Sequence, residues 1–259
     1  MKHIDTIIFD LGGVLIDWNP EYVFLDVFHG DRQKMRWFFD TICTHEWNEN
    51  QDAGYPIAKA TEELVANFPD YETEIKAFYG RWEEMLGGAI HGTVVILEKL
   101  IASKKYKVVA LTNWSHETFP IALERFEFLH WFEGILVSGV EKTRKPFDEI
   151  YHLTLSRFDI KAENALFIDD NLRNIEAANR LNINSIHFKN PDLLLEQLKA
   201  DLVRKNETVW KAHFKGKDLS DADIIKAMVE NPKLIERPII INGNKAVIGR
   251  PAEAILDII

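Results

Sequence analysis

Ile7-Ile8-Phe9-Asp10-Leu11-Gly12-Gly13-Val14-Leu15-Ile16 is the stretch of sequence that best predicts the fold of this chain. A short apolar run ends at a single carboxylate, and two glycines follow at once. An apolar run of this length closed by glycine is typical of a buried strand. Asp10 then lies at the carboxyl end of that strand, where open α/β sheets bind their ligands. A lone aspartate here also fits a helix cap or a turn, so a functional interpretation depends on other parts of the chain.

Further strand-like runs follow along the chain, and amphipathic helical segments separate the later ones. Helices are predicted at Tyr151–Phe158 and Leu172–Leu181. This alternation predicts an α/β fold with a doubly wound, Rossmann-like parallel sheet. The predicted strands are Thr6–Phe9, Lys107–Leu111, Gly134–Ser138, Ala165–Ile168 and Asn184–Phe188.

Residues 19–90 interrupt the alternation. They are helical in pattern and rich in aromatic residues, and we predict no strand in them. Because they lie between the first and second strands, we expect a helical cap inserted beside the carboxyl edge of the sheet. We call residues 19–90 the cap segment, and we expect residues 1–18 and 91–198 to form the core domain.

The composition changes again after about residue 200, where we predict a small α+β appendage over residues 201–259. A β-hairpin is predicted at Pro238–Ile248, with Gly243 in its turn. Helices are predicted at Val209–Phe214, Ser220–Glu230 and Pro251–Ile259.

Composition and charge limit the possible functions. With 46% hydrophobic and 28% charged residues, the 259-residue chain has the composition of a soluble globular protein. Its net charge of −10 argues against nucleic-acid partners and against anionic membrane surfaces. The one cysteine, Cys43, excludes an intrachain disulfide and fits a buried small hydrophobic residue. No stretch resembles a signal peptide or a membrane span, so a cytoplasmic location is expected.

Polar residues stand at the ends of four predicted strands. They are Asp10, Thr112 with Asn113, Lys145, and Asp169 with Asp170. Each of them alone fits a cap, a turn or a solvated surface. Together they predict one site, because the carboxyl ends of neighbouring parallel strands lie about 4.8 Å apart.

The residue types in this set suggest phosphate chemistry with a metal ion. Three carboxylates repel one another unless a cation lies among them, and hard oxygen ligands favour Mg²⁺. Thr112 and Asn113 are candidates to donate hydrogen bonds to a phosphate, and Lys145 supplies a positive charge.

Residues 1 to about 198 resemble the haloacid dehalogenase superfamily. The matching motifs are FDLGGVLID, ALTNWS, RKP and FIDDNLRNIEAA, which begin at residues 9, 110, 144 and 167. The resemblance implies a covalent mechanism in which Asp10 attacks phosphorus and water then hydrolyses the aspartyl-phosphate. It implies Mg²⁺ bound by Asp10, by the carbonyl of Gly12 and by Asp170, with Asp169 acting through water.

In the same family pattern, Thr112 and Lys145 stabilise charge on the transferring phosphoryl group. The resemblance thus predicts a Mg²⁺-dependent phosphatase of small phosphorylated metabolites, with sugar phosphates among the candidates.

Gly12 is where the sequence departs from the usual phosphatase pattern. Family phosphatases usually carry an aspartate there, which protonates the leaving group, and general acid catalysis is typically worth about 10²–10⁴ in rate. Three explanations stay open. The substrate has a good leaving group; Asp17, His116 or a cap residue is the acid; or the site is slow or inactive.

Two alternatives to a phosphatase also stay open. The missing aspartate is shared with the metal-free 2-haloacid dehalogenases, although the Asp169-Asp170 pair argues against that reaction. The other alternative is a catalytically weak binding or assembly protein that uses its carboxyl-terminal segment as an interface.

The tryptophans fit either a pocket wall or a hydrophobic core. The four concerned are Trp18, Trp47, Trp82 and Trp114. Trp18 and Trp114 are the two that lie near Asp10 and Thr112 in the sequence.

The segment from about 201 to 259 resembles the carboxyl half of arsenate-reductase-like proteins. The matching stretches are LVRKNE at 202–207, LSDADIIKAMVENPKLIERPIII at 219–241 and KAVIGRPAEAILDII at 245–259. The resemblance implies part of a thioredoxin-like fold, with an oxyanion held by Arg204, Arg237 and Arg250 and a cis proline at Pro238. The half with the catalytic cysteine has no counterpart here, so packing or homodimerisation is expected in place of reduction.

Overall fold

The computed structural model describes residues 4–202, 239–242 and 245–248, with side chains described for residues 4–198. The chain divides into two compact units, Met1–Gln197 and Leu198–Ile259. The strands are β1 Thr6–Phe9, β2 Ile16–Trp18, β3 Leu86–Ala89, β4 Lys107–Thr112, β5 Ile135–Val137, β6 Ala165–Asp169, β7 Asn184–His187, β8 Ile239–Asn242 and β9 Lys245–Ile248. The helices are α1 Glu21–Val27, α2 Arg32–Thr41, α3 His45–Asp52, α4 Ile57–Asn67, α5 Glu72–Gly80, α6 His91–Ala102, α7 Phe119–Arg125, α8 Ser138–Glu141, α9 Asp148–Arg157, α10 Leu172–Arg180 and α11 Pro191–Leu202.

The first unit is built on a five-stranded parallel sheet with the order β5-β4-β1-β6-β7. All four residues of β1 are buried, as expected for a central strand of a parallel sheet covered on both faces. Each of the five predicted strands is present, and every end agrees to within one residue. The predicted α/β class with a Rossmann-like parallel sheet is confirmed.

The turn after β1 is held by backbone hydrogen bonds to one carbonyl. The Leu11 carbonyl accepts from the N–H groups of Leu15 and Ile16, at 2.8 and 2.9 Å. Gly13 has a φ of +70°, a conformation that favours glycine. The turn therefore places Asp10 at the carboxyl edge of the sheet and leads the chain into β2.

The prediction that the cap segment contains no strand is wrong. Strand β3 pairs antiparallel with β2, with Ile16 opposite Ala89 and Asp17 opposite Gly88. The sequence Leu-Gly-Gly-Ala of β3 has no β-branched or alternating pattern. Its strand conformation comes from pairing with β2, which is a tertiary contact that local propensity does not reveal.

The rest of the cap segment is helical, as predicted, and has its own aromatic core. The ring centroid of Phe24 lies 5.0–6.2 Å from those of four other phenylalanines. These are Phe28, Phe38, Phe39 and Phe78. Cys43, which follows α2 in the sequence, is buried, as expected.

In the second unit the structure describes an antiparallel hairpin of β8 and β9, in which Ile239 is opposite Ile248. The two strands agree with the hairpin predicted from the sequence. Several predictions lie outside the described residues, namely the helices at Val209–Phe214, Ser220–Glu230 and Pro251–Ile259, the turn at Gly243, Pro238, and the arginines Arg204, Arg237 and Arg250. Among the helices that the structure describes, none is both long and apolar enough to cross a membrane.

Candidate active site

Three carboxylates converge at the carboxyl edge of the sheet. Asp10 follows β1, Asp169 ends β6, and Asp170 comes next in the chain. One oxygen of each carboxylate lies within 4.8 Å of an oxygen of the other two. The spacing comes from the register of β1 and β6, in which Phe9 is opposite Ile168.

Lys145 is the cation that the structure places among these carboxylates. Its side chain is 1% exposed, and its Nζ lies 2.9 Å from Asp10 Oδ2 and 2.7 Å from Asp169 Oδ2. It also donates to the Leu111 carbonyl at 3.0 Å. The ammonium therefore has three protein acceptors and a fixed position beside Asp10.

Asn113 holds Lys145 in place through its backbone. The amide of Asn113 accepts from the Lys145 N–H at 2.8 Å and donates to the Lys145 carbonyl at 2.9 Å. The sequence suggested a phosphate donor at this position. The structure shows the Asn113 amide bonded to the segment that carries Lys145, and the phosphate contact stays a prediction.

Asp169 is saturated with hydrogen bonds. Its Oδ1 accepts from the Asn171 N–H at 2.8 Å, and both of its oxygens lie 3.0–3.1 Å from Asn174 Nδ2. Together with Lys145, these donors leave little of the Asp169 carboxylate free for direct contact with a metal ion. Asn171 and Asn174 belong to the motif FIDDNLRNIEAA, but the sequence did not indicate their roles.

Asp170 lies directly against the turn that follows β1. A Cβ on Gly13 would come within 2.3 Å of Asp170 Oδ2, so any other residue here would displace this carboxylate from its observed position. Burial, and next the negative charge of Asp169, raise the pKa of Asp170.

The charges of the cluster are only partly balanced by the protein. Burial, followed by the charges of Asp169 and Asp170, raises the pKa of Asp10 well above its ordinary value, although Lys145 opposes this. Burial acts to lower the pKa of Lys145, but Asp10 and Asp169 outweigh it and raise that pKa. One ammonium thus faces three carboxylates. A hard divalent cation fits this all-oxygen donor set.

Thr112 ends β4 beside this cluster. Its side chain is buried, and Oγ1 has no hydrogen-bond partner among the described residues. Since a buried hydroxyl without a partner is costly, this atom is suited to bind a polar ligand group.

Gly12 leaves space where an acidic side chain is usual. A Cβ built on Gly12 meets no atom within 4 Å. The absence of a carboxylate here is therefore a feature of the sequence and is not imposed by crowding.

A cavity of about 250 Å³ opens above Asp10 between the sheet edge and the cap segment. The predicted site residues along it are Asp10, Gly12, Asn113, Lys145 and Asp170. Aromatic side chains form part of its wall, namely Trp18, Tyr79, Trp82 and Trp114. Trp47 does not line this cavity and packs edge-on against Phe78, with ring centroids 5.3 Å apart.

Helix α3 of the cap segment supplies charged residues that sequence reasoning missed. Buried Glu49 accepts from Arg144 at 2.9 Å and from Arg173 at 2.6 Å. His45 Nε2 lies 3.2 Å from the same carboxylate. Arg144 and Arg173 belong to the RKP and FIDDNLRNIEAA motifs, whereas nothing in the cap sequence identified Glu49.

Comparison with known proteins identifies the family of this chain. A family model described as haloacid dehalogenase-like hydrolase matches residues 7–188, more than half of the chain. The chain belongs to the haloacid dehalogenase-like hydrolase family. Its similarity to a HAD family enzyme from Bacteroides thetaiotaomicron, solved as a magnesium complex, covers 73% of this chain and 95% of that one, with a TM-score of 0.57. At 22% identity, this similarity shows the shared fold.

Among the relatives of this hydrolase-family chain is the sesquiterpene phosphatase astK of Aspergillus oryzae. It is 27% identical over 182 residues, which are 70% of this chain and 88% of the relative.

A second family model, the ArsC family, matches residues 138–258. The arsenate reductase of Haemophilus influenzae is 38% identical over 77 residues, which are 30% of this chain and 66% of that protein. The two family matches overlap at residues 138–188, and β6 and β7 of the five-stranded sheet lie in that overlap. This hydrolase therefore carries, in the same chain, a segment similar to arsenate reductases.

Proposed function

We propose that this chain is a Mg²⁺-dependent phosphatase of small phosphorylated metabolites, with Asp10 as the nucleophile. The observation that supports this most strongly is the cluster of Asp10, Asp169 and Asp170, in which the buried Lys145 bonds to Asp10 and Asp169. The phosphatase activity in the name of the Aspergillus oryzae relative favours the same chemistry.

The residues that would hold Mg²⁺ are Asp10, the carbonyl of Gly12 and Asp170, with Asp169 acting through water. The saturated hydrogen bonding of Asp169 favours this indirect role. When bound, Mg²⁺ neutralises charge on the phosphoryl oxygens and on the carboxylates around it.

In the proposed reaction an oxygen of Asp10 attacks phosphorus, the bond to the leaving oxygen breaks, and water later hydrolyses the aspartyl-phosphate. The position of Asp10 is fixed by the Leu11 N–H, which donates to its Oδ1 at 2.7 Å. Lys145 stabilises the negative charge of the transferring group, and the Thr112 hydroxyl donates to one of its oxygens. Asn113 positions Lys145 through the two hydrogen bonds to its backbone.

The substrate lies in the cavity beneath the cap segment in this proposal. Aromatic walls and a volume of about 250 Å³ suit a compact phosphate ester whose organic part stacks on indole or phenol rings. Sugar phosphates and small terpenoid phosphates both have such a part.

The test is a panel of phosphate esters assayed with and without Mg²⁺, using wild type and Asp10→Asn. We expect phosphate release from wild type that requires Mg²⁺, and a loss of at least about 10³-fold in Asp10→Asn. Chloride release from a 2-chloro acid, measured in parallel, tests the dehalogenase alternative. Equal rates for wild type and Asp10→Asn across the panel would contradict the proposal.

A further inference from the structure

The site described so far lacks a group to protonate the leaving oxygen, because Gly12 has no side chain. Two candidates suggested by the sequence are poorly placed for this role. Asp17 accepts a hydrogen bond from Tyr22 at 2.6 Å, and His116 is exposed. Neither residue lines the cavity above Asp10.

The other ionisable side chains along the cavity from the cap segment are His45, Glu49, Asp52 and Tyr79. Glu49 is committed to its ion pairs with two arginines. The Tyr79 hydroxyl bonds to Asn48 at 3.0 Å, and burial raises the pKa of Tyr79 further above neutrality. The side chain of His45 is 71% exposed at the cavity mouth.

Asp52 is held over the cavity at the carboxyl end of α3. Its backbone carbonyl accepts a hydrogen bond from Ser138 Oγ, a residue of the core. Its carboxylate accepts from Asn48 Nδ2 at 3.3 Å, and no lysine, arginine or histidine among the described residues lies within ion-pair distance of it. A carboxyl that has no ion pair and that lines the same cavity as Asp10 is free to exchange a proton with a bound ligand.

The charged groups around Asp52 have opposing effects. Burial, followed by the negative charge of Glu49, raises the pKa of Asp52 to about 7, while Arg144, the Ser115 N–H and Lys145 act to lower it. The phenol of Tyr79 also faces it from α5. At neutral pH both protonation states of Asp52 are thus populated, as an acid that later acts as a base requires.

We propose that Asp52, supplied by the cap segment, is the general acid that replaces the aspartate missing at Gly12. This inference rests on the proposed phosphatase function. As Asp10 forms its bond to phosphorus and the bond to the leaving oxygen breaks, the Asp52 carboxyl gives its proton to that oxygen. The product leaves as an alcohol, and Asp52 becomes a carboxylate. Asp52 then takes a proton from the water that attacks the aspartyl-phosphate, which regenerates both residues and releases phosphate.

The experiment compares wild type, Asp52→Asn and His45→Gln in the full chain with Mg²⁺. Two substrates are used, an alkyl phosphate with a poor leaving group and p-nitrophenyl phosphate with a good one. The measurement is release of the leaving group in the first turnover, since this excludes the later hydrolysis step. Asp70→Asn is the matched control, because Asp70 is an exposed cap aspartate far in sequence from the site.

We expect Asp52→Asn to slow release of the alkyl group by about 10²–10⁴-fold, and to slow release of p-nitrophenol by less than about tenfold. The wild-type rate of alkyl release should change with pH near pH 7, and Asp52→Asn should lose this change as well. In the double variant Asp52→Asn with Gly12→Asp, the open space at residue 12 should allow recovery of at least about tenfold for the alkyl substrate.

An unchanged ratio of the two rates in folded Asp52→Asn would overturn the inference, and so would a selective loss in His45→Gln. If either result is found while wild type is active and Asp10→Asn is not, only the role of Asp52 fails. If wild type releases neither group, or Asp10→Asn is as active as wild type, the proposed function itself fails.

Discussion

At the scale of single residues, the site depends on one buried lysine. Lys145 contacts two carboxylates and a carbonyl while being almost completely buried. Taking such an ammonium out of water is costly, and the two carboxylates offset that cost only while all three groups remain in place. Lys145 therefore contributes both to stability and to the charge of the site.

Replacing this lysine should destabilise the protein strongly. For Lys145→Met we expect a loss of about 3–5 kcal/mol in the free energy of unfolding at pH 7 without Mg²⁺, because Asp10 and Asp169 keep their burial and lose their partner. The deficit should shrink toward acidic pH, where the carboxylates take up protons. Urea denaturation measures it, with the exposed Lys99→Met as control. A loss below about 1 kcal/mol would contradict the electrostatic role.

The raised pKa of Asp52 predicts a dependence of stability on pH. Between its ordinary pKa of 3.8 and its folded value of about 7, the folded protein binds the proton more tightly than the unfolded chain. Stability contributed by this group is therefore lost as the pH rises through that range. Asp52→Asn cannot ionise at this position and so lacks this loss. The difference in unfolding free energy between Asp52→Asn and wild type should therefore change in favour of the variant by about 2 kcal/mol from pH 5 to pH 8, after allowance for partial solvent screening.

Urea denaturation of Asp52→Asn, wild type and Asp70→Asn at the two pH values measures this gain. A difference between Asp52→Asn and wild type that is the same at pH 5 and pH 8 would show that Asp52 is ionised throughout.

At the scale of elements, helix α3 couples the cap segment to the core. The helix begins after Thr44, whose Oγ1 accepts from the Trp47 N–H at 3.1 Å. One turn later Glu49 bonds to Arg144 and Arg173, which both belong to the core. Arg144 is next to Lys145 in the chain, so this ion-pair cluster also supports the site.

Removing the charge of Glu49 should weaken this contact between α3 and the core, and it should lower the pKa of Asp52, the proposed general acid. In Glu49→Gln we expect a loss of about 1–3 kcal/mol in unfolding free energy, because Arg144 is only 12% exposed and would lose its carboxylate. The change in rate with pH that is assigned to Asp52 should move to lower pH, since Glu49 raises that pKa. Thermal unfolding and the pH profile of kcat measure the two effects. A change in rate at the same pH as in wild type would contradict the coupling.

The elements of the core were predictable, and the contacts of the cap were not. The five core strands have short apolar runs, and Asp10, Thr112 and Asp169 stand at strand ends. The expected strand end at Lys145 is wrong, because α8 follows β5 and Lys145 lies in the loop between α8 and α9. Strand β3 and the roles of Glu49 and Asp52 depend on packing between segments distant in the sequence. No local pattern encodes such contacts. The hydrogen bonds of Asn113 to Lys145 were hidden for the same reason.

At the scale of the whole molecule, the candidate site lies entirely within the first of two compact units. That unit, Met1–Gln197, contains the five-stranded sheet, the cap segment and the cavity. The second unit contains the hairpin of β8 and β9. We propose packing or homodimerisation as the role of this unit, because the two-stranded sheet that the structure describes in it is marginally stable alone.

Removing residues 203–259, which are most of the second unit, should leave the proposed chemistry intact. In a chain that ends at Leu202 we expect kcat/KM for a phosphate ester within about threefold of the full chain, because every site residue is retained. Light scattering of both chains tests the second unit as an interface, and a dimer found only with the full chain would support it. Loss of activity in the shortened chain, if it remains folded, would contradict the assignment of the site to the first unit.

The central claim is that Asp10 accepts the phosphoryl group, and rapid acid quench during turnover tests it most directly. Peptide mass spectrometry then determines which residue is modified. We predict that the peptide containing Asp10 gains the mass of one phosphoryl group in wild type with Mg²⁺, and that Asp10→Asn shows no such gain. Hydrolysis of the substrate by wild type with the Asp10 peptide unmodified at every quench time would contradict the account.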